Sequence, residues 1–230
     1  AVILVMFRQK HNLDLLYPSL ALQNEKNMRI FFADNNENDE DIAYSKELNT
    51  KYSLDIQYLK AGFNSGFAGG NNIGAKKALD EEFEYVFFLN SDNELAEGCI
   101  KNLAGTLKAD PSLGAVSPLI FYGDEKRNRQ LIQEFGSKSD FNKYKIIKYF
   151  TAKRFSDVHS EIPEVLYCDL LSGGAVMFRK EALRETGLWE ERYFAYGDEI
   201  DLFRRVKEKG YRAAAVRSAR IFHNHNWSKD

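Results

Sequence analysis

The 230-residue sequence has two cysteines, no long apolar run and no excess of either charge, and each shortage removes a class of protein. Cys99 and Cys168 form neither a CxxC pair nor a Cys/His spacing, which argues against structural zinc and against a disulfide framework. Reduced thiols and a cytosolic setting are expected. With 32 basic and 34 acidic side chains the formal charge is −2, too balanced to hold a nucleic acid by bulk electrostatics. The longest apolar runs, Ala1 to Phe7 and Phe83 to Leu89, fall far short of the ~20 residues a membrane span needs, so no segment is expected to cross a bilayer. The chain opens without a basic leader or a small-residue cleavage site, and its missing initiator Met points to a trimmed start. The standard nucleotide fingerprints are absent too. No GxGxxG occurs, and although Gly69 and Gly74 have P-loop spacing, Ala75 follows where that motif needs Lys. That disfavours a nicotinamide-dependent dehydrogenase.

Hydrophobic content of 44% with no linker-like stretch predicts one domain. Its organising stretch is Phe83 to Asn93, FEYVFFLNSDN, a short aromatic and β-branched run that reads as a strand buried on both faces. It stops abruptly at Asn90, Ser91 and Asp92. In an open α/β sheet ligands bind beyond the carboxyl ends of the strands, which makes Asp92 a functional candidate. The alternative is a plain turn into the next helix, expected from Glu97 to Ala109.

The rest of the chain repeats the alternation. Val2 to Phe7, Met28 to Ala33, Asp55 to Leu59 and Ala115 to Phe121 read as strands, separated by segments with helical spacing of apolar residues. Pro18 is expected to kink or start the first helix. Asp34 sits at the end of the second strand, either to hydrogen-bond a base or ribose or to make a turn. Gly62 to Gly74, GFNSGFAGGNNIG, carries five glycines in thirteen residues and reads as a tightly turning loop, with a helix from Ala75 to Glu82 whose N-terminus would favour a phosphate. The alternation predicts an α/β fold with a mostly parallel, doubly wound, Rossmann-like sheet flanked by helices.

Between Gly123 and Glu164 the pattern lapses. Lys143, Lys145, Lys148, Lys153 and Arg154 interleave there with Tyr144, Ile146, Ile147, Tyr149 and Phe150. This segment reads either as a solvated hairpin or as a basic, apolar surface for an anionic membrane or acceptor. A strand is expected again into Leu171, then an apolar turn at Ala175 to Phe178 and a short helix ended by Gly187. The aromatics around Trp189 and Tyr196 lead into a helix that holds Asp198, Glu199 and Asp201. Asp198 fits an N-cap and Asp201 the third helical position, leaving Glu199 free to accept a proton with help from the helix dipole. His223 and His225 follow the last strand, Ala213 to Val216, where a His could complete a metal site begun by Asp92.

Taken together, the Asp34 strand end, Asn64 to Asn72, Leu89-Asn90-Ser91-Asp92, and Ser172-Gly173-Gly174 through Asp198-Glu199-Ile200-Asp201-Leu202 to His223 resemble the family 2 glycosyltransferases of the GT-A fold, in particular the bacterial rhamnosyltransferase-like branch. The resemblance spans nearly the whole chain except Tyr122 to Glu164. It implies a single GT-A domain, with a nucleotide-sugar-binding half at 1–121 and a smaller acceptor-binding half at 122–230. It implies inverting transfer from a UDP- or dTDP-sugar, rhamnose among the candidates, to a glycan or lipid-linked acceptor in bacterial cell-surface polysaccharide synthesis, in a cytoplasmic enzyme peripheral to the inner membrane surface. On the donor side it implies Arg8, Asp34, Asn64, Phe67, Gly70, Asn71, Asn90, Ser91 and Gly174. Asp92 and His223 would hold Mn²⁺ or Mg²⁺, and Gly173, Trp189 and Tyr196 would meet the acceptor. Glu199 takes the place of the catalytic base, with Asp198 as its rival. The sequence departs from the family twice: Asn90 replaces the first acid of the DXD triplet, and the Glu-Asp pair is reversed as Asp198-Glu199. Both departures leave open a nucleotide-sugar-binding protein with little transferase activity.

Overall fold

A computed structural model describes residues 1–123, 129–140, 143, 145–194 and 196–224. Tyr144, Ala195 and His225 lie outside the described residues. In chain order the elements are β1 (Val2–Met6), α1 (Leu13–Ala21), β2 (Ile30–Asp34), α2 (Glu40–Tyr52), β3 (Ile56–Lys60), α3 (Gly66–Asp80), β4 (Tyr85–Leu89), β5 (Asn93–Leu95), α4 (Cys99–Ala109) and β6 (Leu113–Tyr122). Then come β7 (Ile132–Glu134), β8 (Ser137–Asp140), β9 (Lys145–Lys148), α5 (Phe155–Val158), β10 (Val165–Cys168), β11 (Ala175–Arg179), α6 (Lys180–Thr186), α7 (Asp198–Glu208) and β12 (Arg212–His223).

Among the described residues ten strands form one sheet, with the path β10-β12-β6-β11-β4-β1-β2-β3 and with β5 and β7 attached to β12 and β6. β3, β2, β1 and β4 pair in parallel, as their continuous apolar runs predict. The expected apolar turn at Ala175 to Phe178 is instead β11, a buried strand at the centre of the sheet and antiparallel to both β4 and β6. Its five residues carry no period that separates a buried strand from a turn, and only the neighbours decide.

Alternation in β1 divides the core. Val2, Leu4 and Met6 pack with α1 and α4 on one face; Ile3 packs with Phe31, Phe88 and the apolar faces of α3 and α7 on the other. Helix α1 runs through Pro18 and starts before it, at Leu13. Pro118 sits mid-strand in β6 at the point where β12 slips register, Val216 facing Pro118 and Arg220 facing Leu119. A proline has no ladder N–H to give, so the break in pairing falls where it costs least.

The glycine-rich stretch is the largest departure from expectation. It is mostly helix, not loop: α3 begins at Gly66, nine residues before Ala75. A Cβ at Gly70 would lie 2.6 Å from Val5 Cγ1, and one at Gly74 2.6 Å from Ile3 Cγ2. The glycines therefore allow the helix to lie directly on β1, and their cost in helix propensity is offset by that close packing.

Gly74→Val is expected to destabilise the fold by ~1–3 kcal/mol through overpacking against Ile3 and Phe31. Gly105→Ala, in α4 with open space around its Cβ, is expected to stabilise it by ~0.5–1 kcal/mol. Urea midpoints of the two variants check both signs.

Candidate active site

The site begins where β4 ends. Asn90 N–H donates to the Gly174 carbonyl at 2.8 Å, and the Asn93 side chain donates to the carbonyls of both Asn90 (3.2 Å) and Gly174 (2.9 Å). The exit turn of β4 is thus tied to the turn that enters β11. Ser91 is buried between Gln9, to which its hydroxyl donates, and Asn12, whose amide it accepts. Asp92 points toward β12: its Oδ2 is 3.1 Å from His223 Nε2, while Asn224 N–H donates to the Asp92 carbonyl at 2.8 Å.

Helix α7 enters from the other side. Gly197, at φ +87°, occupies the cap position, so Asp198 is the first helical residue and not the N-cap that its sequence position suggests. The Asp198 side chain is buried and its Oδ2 has no hydrogen-bond partner. Burial first, then the charge of Glu199 and a hydrogen bond to it, push the Asp198 carboxyl from the usual 3.8 up to about 7. Asp198 therefore keeps its proton over much of the range below neutrality. Asp201 is held apart by Arg205 at 2.7 Å. A Cβ at Gly173 would lie 2.9 Å from Glu199 Cγ and 3.1 Å from Trp189 Cη2, so this position admits no side chain while Glu199 stands where it does.

Part of this set lines one cleft of about 290 Å³; Ser91, Asp92, Gly173 and Trp189 lie behind its wall. Of the residues singled out from sequence, Phe67, Asn90, Gly174, Tyr196, Asp198, Glu199 and His223 line it. Tyr196, 89% exposed, forms its rim. Gln133 and Glu134 of β7 line it as well and have no counterpart in the sequence reading, since their segment carries no recognisable pattern.

Other candidates stand elsewhere. Asp34 is fully buried at the end of β2, its Oδ1 accepting from the Asn36 N–H and side chain, its Oδ2 without a partner. Desolvation raises its pKa above the usual carboxylate range, against the hydrogen bonds from Asn36. The Arg8 guanidinium lies over the Phe7 ring, while its backbone N–H donates to Asn36. Asn64 caps the start of α3 by accepting from Gly66 N–H, and Phe67 N–H donates to the Phe194 carbonyl, so these first amides are already occupied and do not form the anticipated phosphate cradle. Gly70 is buried against β1, and Asn71 folds back onto the Phe67 carbonyl. Trp189, expected at the acceptor, is only 2% exposed; it packs edge-on against Phe67 and Phe88 and forms the floor beneath Gly173.

Residues 1–187 match the profile of glycosyl transferase family 2. The chain belongs to that family. Among family relatives, it is 26% identical over 175 residues to the low-salt glycan biosynthesis hexosyltransferase Agl10 of Haloferax volcanii, a match covering 74% of this chain and 52% of that one. The chain thus corresponds to about half the length of that relative. It is 25% identical over 247 residues to the N-acetylglucosaminyl-diphospho-decaprenol L-rhamnosyltransferase of Mycobacterium tuberculosis, covering 100% of this chain and 78% of the other. The mannosyltransferase PcManGT of Pyrobaculum calidifontis, solved with GDP-Man and Mn²⁺, superposes with a TM-score of 0.68 at 14% identity over 99% of this chain and 57% of that one. The family 2 domain described here has the GT-A fold. Among its described residues no group of three or more His, Cys, Asp and Glu could hold a metal ion, and no helix is long and apolar enough to cross a membrane. Both cysteines are free, their thiols pushed up to about 12 by burial, which removes them from thiolate chemistry.

The raised pKa of Asp198 makes stability depend on pH. The folded chain holds a proton that the unfolded chain releases near 3.8, so the contribution of Asp198 is complete below that value and is lost as the pH rises toward 7. Asp198→Asn is expected to gain in stability relative to the parent chain between about pH 5 and about pH 8, which urea midpoints at the two values measure.

Proposed function

We propose that this chain is the catalytic domain of an inverting glycosyltransferase that moves a sugar from a nucleoside-diphosphate sugar to a hydroxyl of a glycan or lipid-linked acceptor. UDP and dTDP are the candidate nucleotides, rhamnose is among the candidate sugars, and bacterial cell-surface polysaccharide synthesis is the setting. The observation that carries the reading is that His223, paired with Asp92 at the sheet edge, and Glu199, from the first turn of α7, line one cleft. Residues 1–121 serve the donor and 122–230 the acceptor, the cleft being lined from both.

The residues fit a divalent cation in one specific respect. Asp92 Oδ2 and His223 Nε2 are 3.1 Å apart, close to the ~3 Å that separates neighbouring ligands on an octahedral ion with bonds of about 2.1 Å. Two protein ligands suit an ion whose remaining positions go to substrate phosphates and water. Asp92 and His223 would hold Mn²⁺ or Mg²⁺, which when bound neutralises charge on the departing diphosphate.

The chain's own groups account for the proton. Glu199 takes it from the acceptor hydroxyl, whose oxygen forms the new bond to the anomeric carbon as the bond to the diphosphate breaks and its electron pair leaves on phosphate oxygen. Asp198, neutral through its burial, hydrogen-bonds Glu199 and spares it a second adjacent charge. Gly173 keeps the approach to Glu199 open, and Phe67 and Tyr196 bound it. On the donor side Asn90 and Gly174 line the cleft, with Asp34 and Asn64 farther along the same sheet edge for the base and ribose. Asn90 in place of an acid favours a second reading, a nucleotide-sugar binder with little turnover.

Glu199→Gln is expected to lower transfer or donor hydrolysis in Mn²⁺ by ~10²- to 10⁴-fold while leaving the thermal shift produced by the donor unchanged. Donor binding without turnover in the parent chain would select the binder. Full turnover in Glu199→Gln with loss in Asp198→Asn would move the base to Asp198.

A peripheral membrane contact belongs to the same proposal. All of β9 is exposed, with Ile146 at 41% and Ile147 at 49% among Lys145 and Lys148, and Lys148 reaches Glu134 at the cleft wall. Its basic and apolar surface complements an anionic phospholipid headgroup layer. The chain is expected to co-sediment with phosphatidylglycerol vesicles and not with phosphatidylcholine vesicles, and Ile146→Asp with Lys145→Glu is expected to abolish the difference.

A further inference from the structure

The segment that the sequence left unread supplies a contact to the proposed cation site. Strand β7 pairs with the end of β6, Ile120 facing Glu134 and Phe121 facing Ile132. One step along β6 thus matches two steps along β7, and Gln133 is the extra residue of a β-bulge. In a regular strand Gln133 and Glu134 would point to opposite faces. A bulge re-aims a side chain, and here both residues line the cleft.

Gln133 Oε1 lies 3.0 Å from His223 Nδ1, on the opposite edge of the ring from the 3.1 Å contact between His223 Nε2 and Asp92 Oδ2. An amide oxygen only accepts, so with this placement Nδ1 carries a hydrogen; the Asp92 carboxylate accepts too, so the Nε2 lone pair faces it only when a cation stands between them. With the amide turned over, the hydrogen would sit on Nε2, donated to Asp92, and the ring could not ligate. We propose that Gln133 is a positioning residue that holds His223 in the tautomer and orientation needed to share a divalent cation with Asp92. The inference rests on the reading of Asp92 and His223 as cation ligands. Outer groups of this kind govern metal affinity by about 10- to 100-fold.

The test uses the full chain labelled with ¹⁵N, its His223 ring signals assigned by their loss in His223→Ala, with Mn²⁺ alone as the probe. Ring nitrogen shifts report the tautomer without any metal, and paramagnetic broadening of the His223 signal reports occupancy even when binding is weak. The parent chain is expected to show hydrogen on Nδ1. Gln133→Leu, verified as folded by its thermal melt, is expected to lose that preference and to need about 10- to 100-fold more Mn²⁺ for the same broadening. Gln133→Glu restores an acceptor and is expected to recover both readouts. If Gln133→Leu keeps the tautomer and the Mn²⁺ response while His223→Ala abolishes local broadening, the role of Gln133 is refuted and the cation site stands. If Mn²⁺ leaves the His223 signal of the parent chain untouched, the cation reading fails and this inference with it.

Discussion

Two hydrogen bonds between the exit of β4 and the entry to β11 hold the two halves of the chain in one site. Asn90 N–H bonds the Gly174 carbonyl, and the Asn93 amide bridges the carbonyls of Asn90 and Gly174. Residues more than eighty positions apart are thereby set side by side. Asp92 lies within the first turn and Gly173 abuts Glu199 in the second, so the separation between Asp92 and Glu199 depends on this link. Its shared acceptor is the Gly174 carbonyl and one donor is main chain, so of the side chains along it only that of Asn93 takes part. The antiparallel insertion of β11 is what makes it possible: a parallel strand at that place would begin at the other end of β4.

The cleft that results is crowded with acid groups. Glu134, Asp198 and Glu199 all line it. Burial raises the Glu134 carboxyl above its usual range, with Lys148 pulling in the opposite direction, and burial raises that of Asp198. A diphosphate brought into such surroundings meets repulsion that the weakly screening interior magnifies. A diphosphate would therefore need counter-charge there, and on the proposed reading a cation at Asp92 and His223 supplies it.

Much of this was legible beforehand, for identifiable reasons. Strands buried on both faces announce themselves as short apolar runs, so β1, β2 and β4, and with them the positions of Asp34 and Asp92, could be located. Glu199 was singled out by elimination on the premise that Asp198 caps the helix; the cap is Gly197, so that premise fails and the assignment rests on the cleft instead. What failed shares one cause: the deciding partner is distant in sequence. The glycines of α3 look like a loop until β1 is placed beneath them. Trp189 looks like a surface aromatic until Asn72, 117 positions away, is seen to bind both its backbone N–H and its carbonyl. Gln133 and Glu134 reach the cleft through a register shift, and no composition or period encodes one.

The same distant contacts build the floor of the cleft. Asn72 anchors Trp189 at 2.8 and 3.0 Å, and the indole is wedged edge-on between Phe67 and Phe88, so the surface under Gly173 is fixed from α3, β4 and the 187–191 segment at once. Any side chain at position 173 would have to displace either this indole or Glu199, which confines the proton acceptor to a narrow set of positions. Tyr193, Phe194 and Tyr196, by contrast, stand exposed above the cleft and are tied to α3 through the bond from Phe67 N–H to the Phe194 carbonyl. Gly66, at φ +72°, must lack a side chain for that strap to pass, because a Cβ there would fall 2.6 Å from the same carbonyl. Glu199 thus rests against an interlocked base, while Tyr196 stands exposed at the rim.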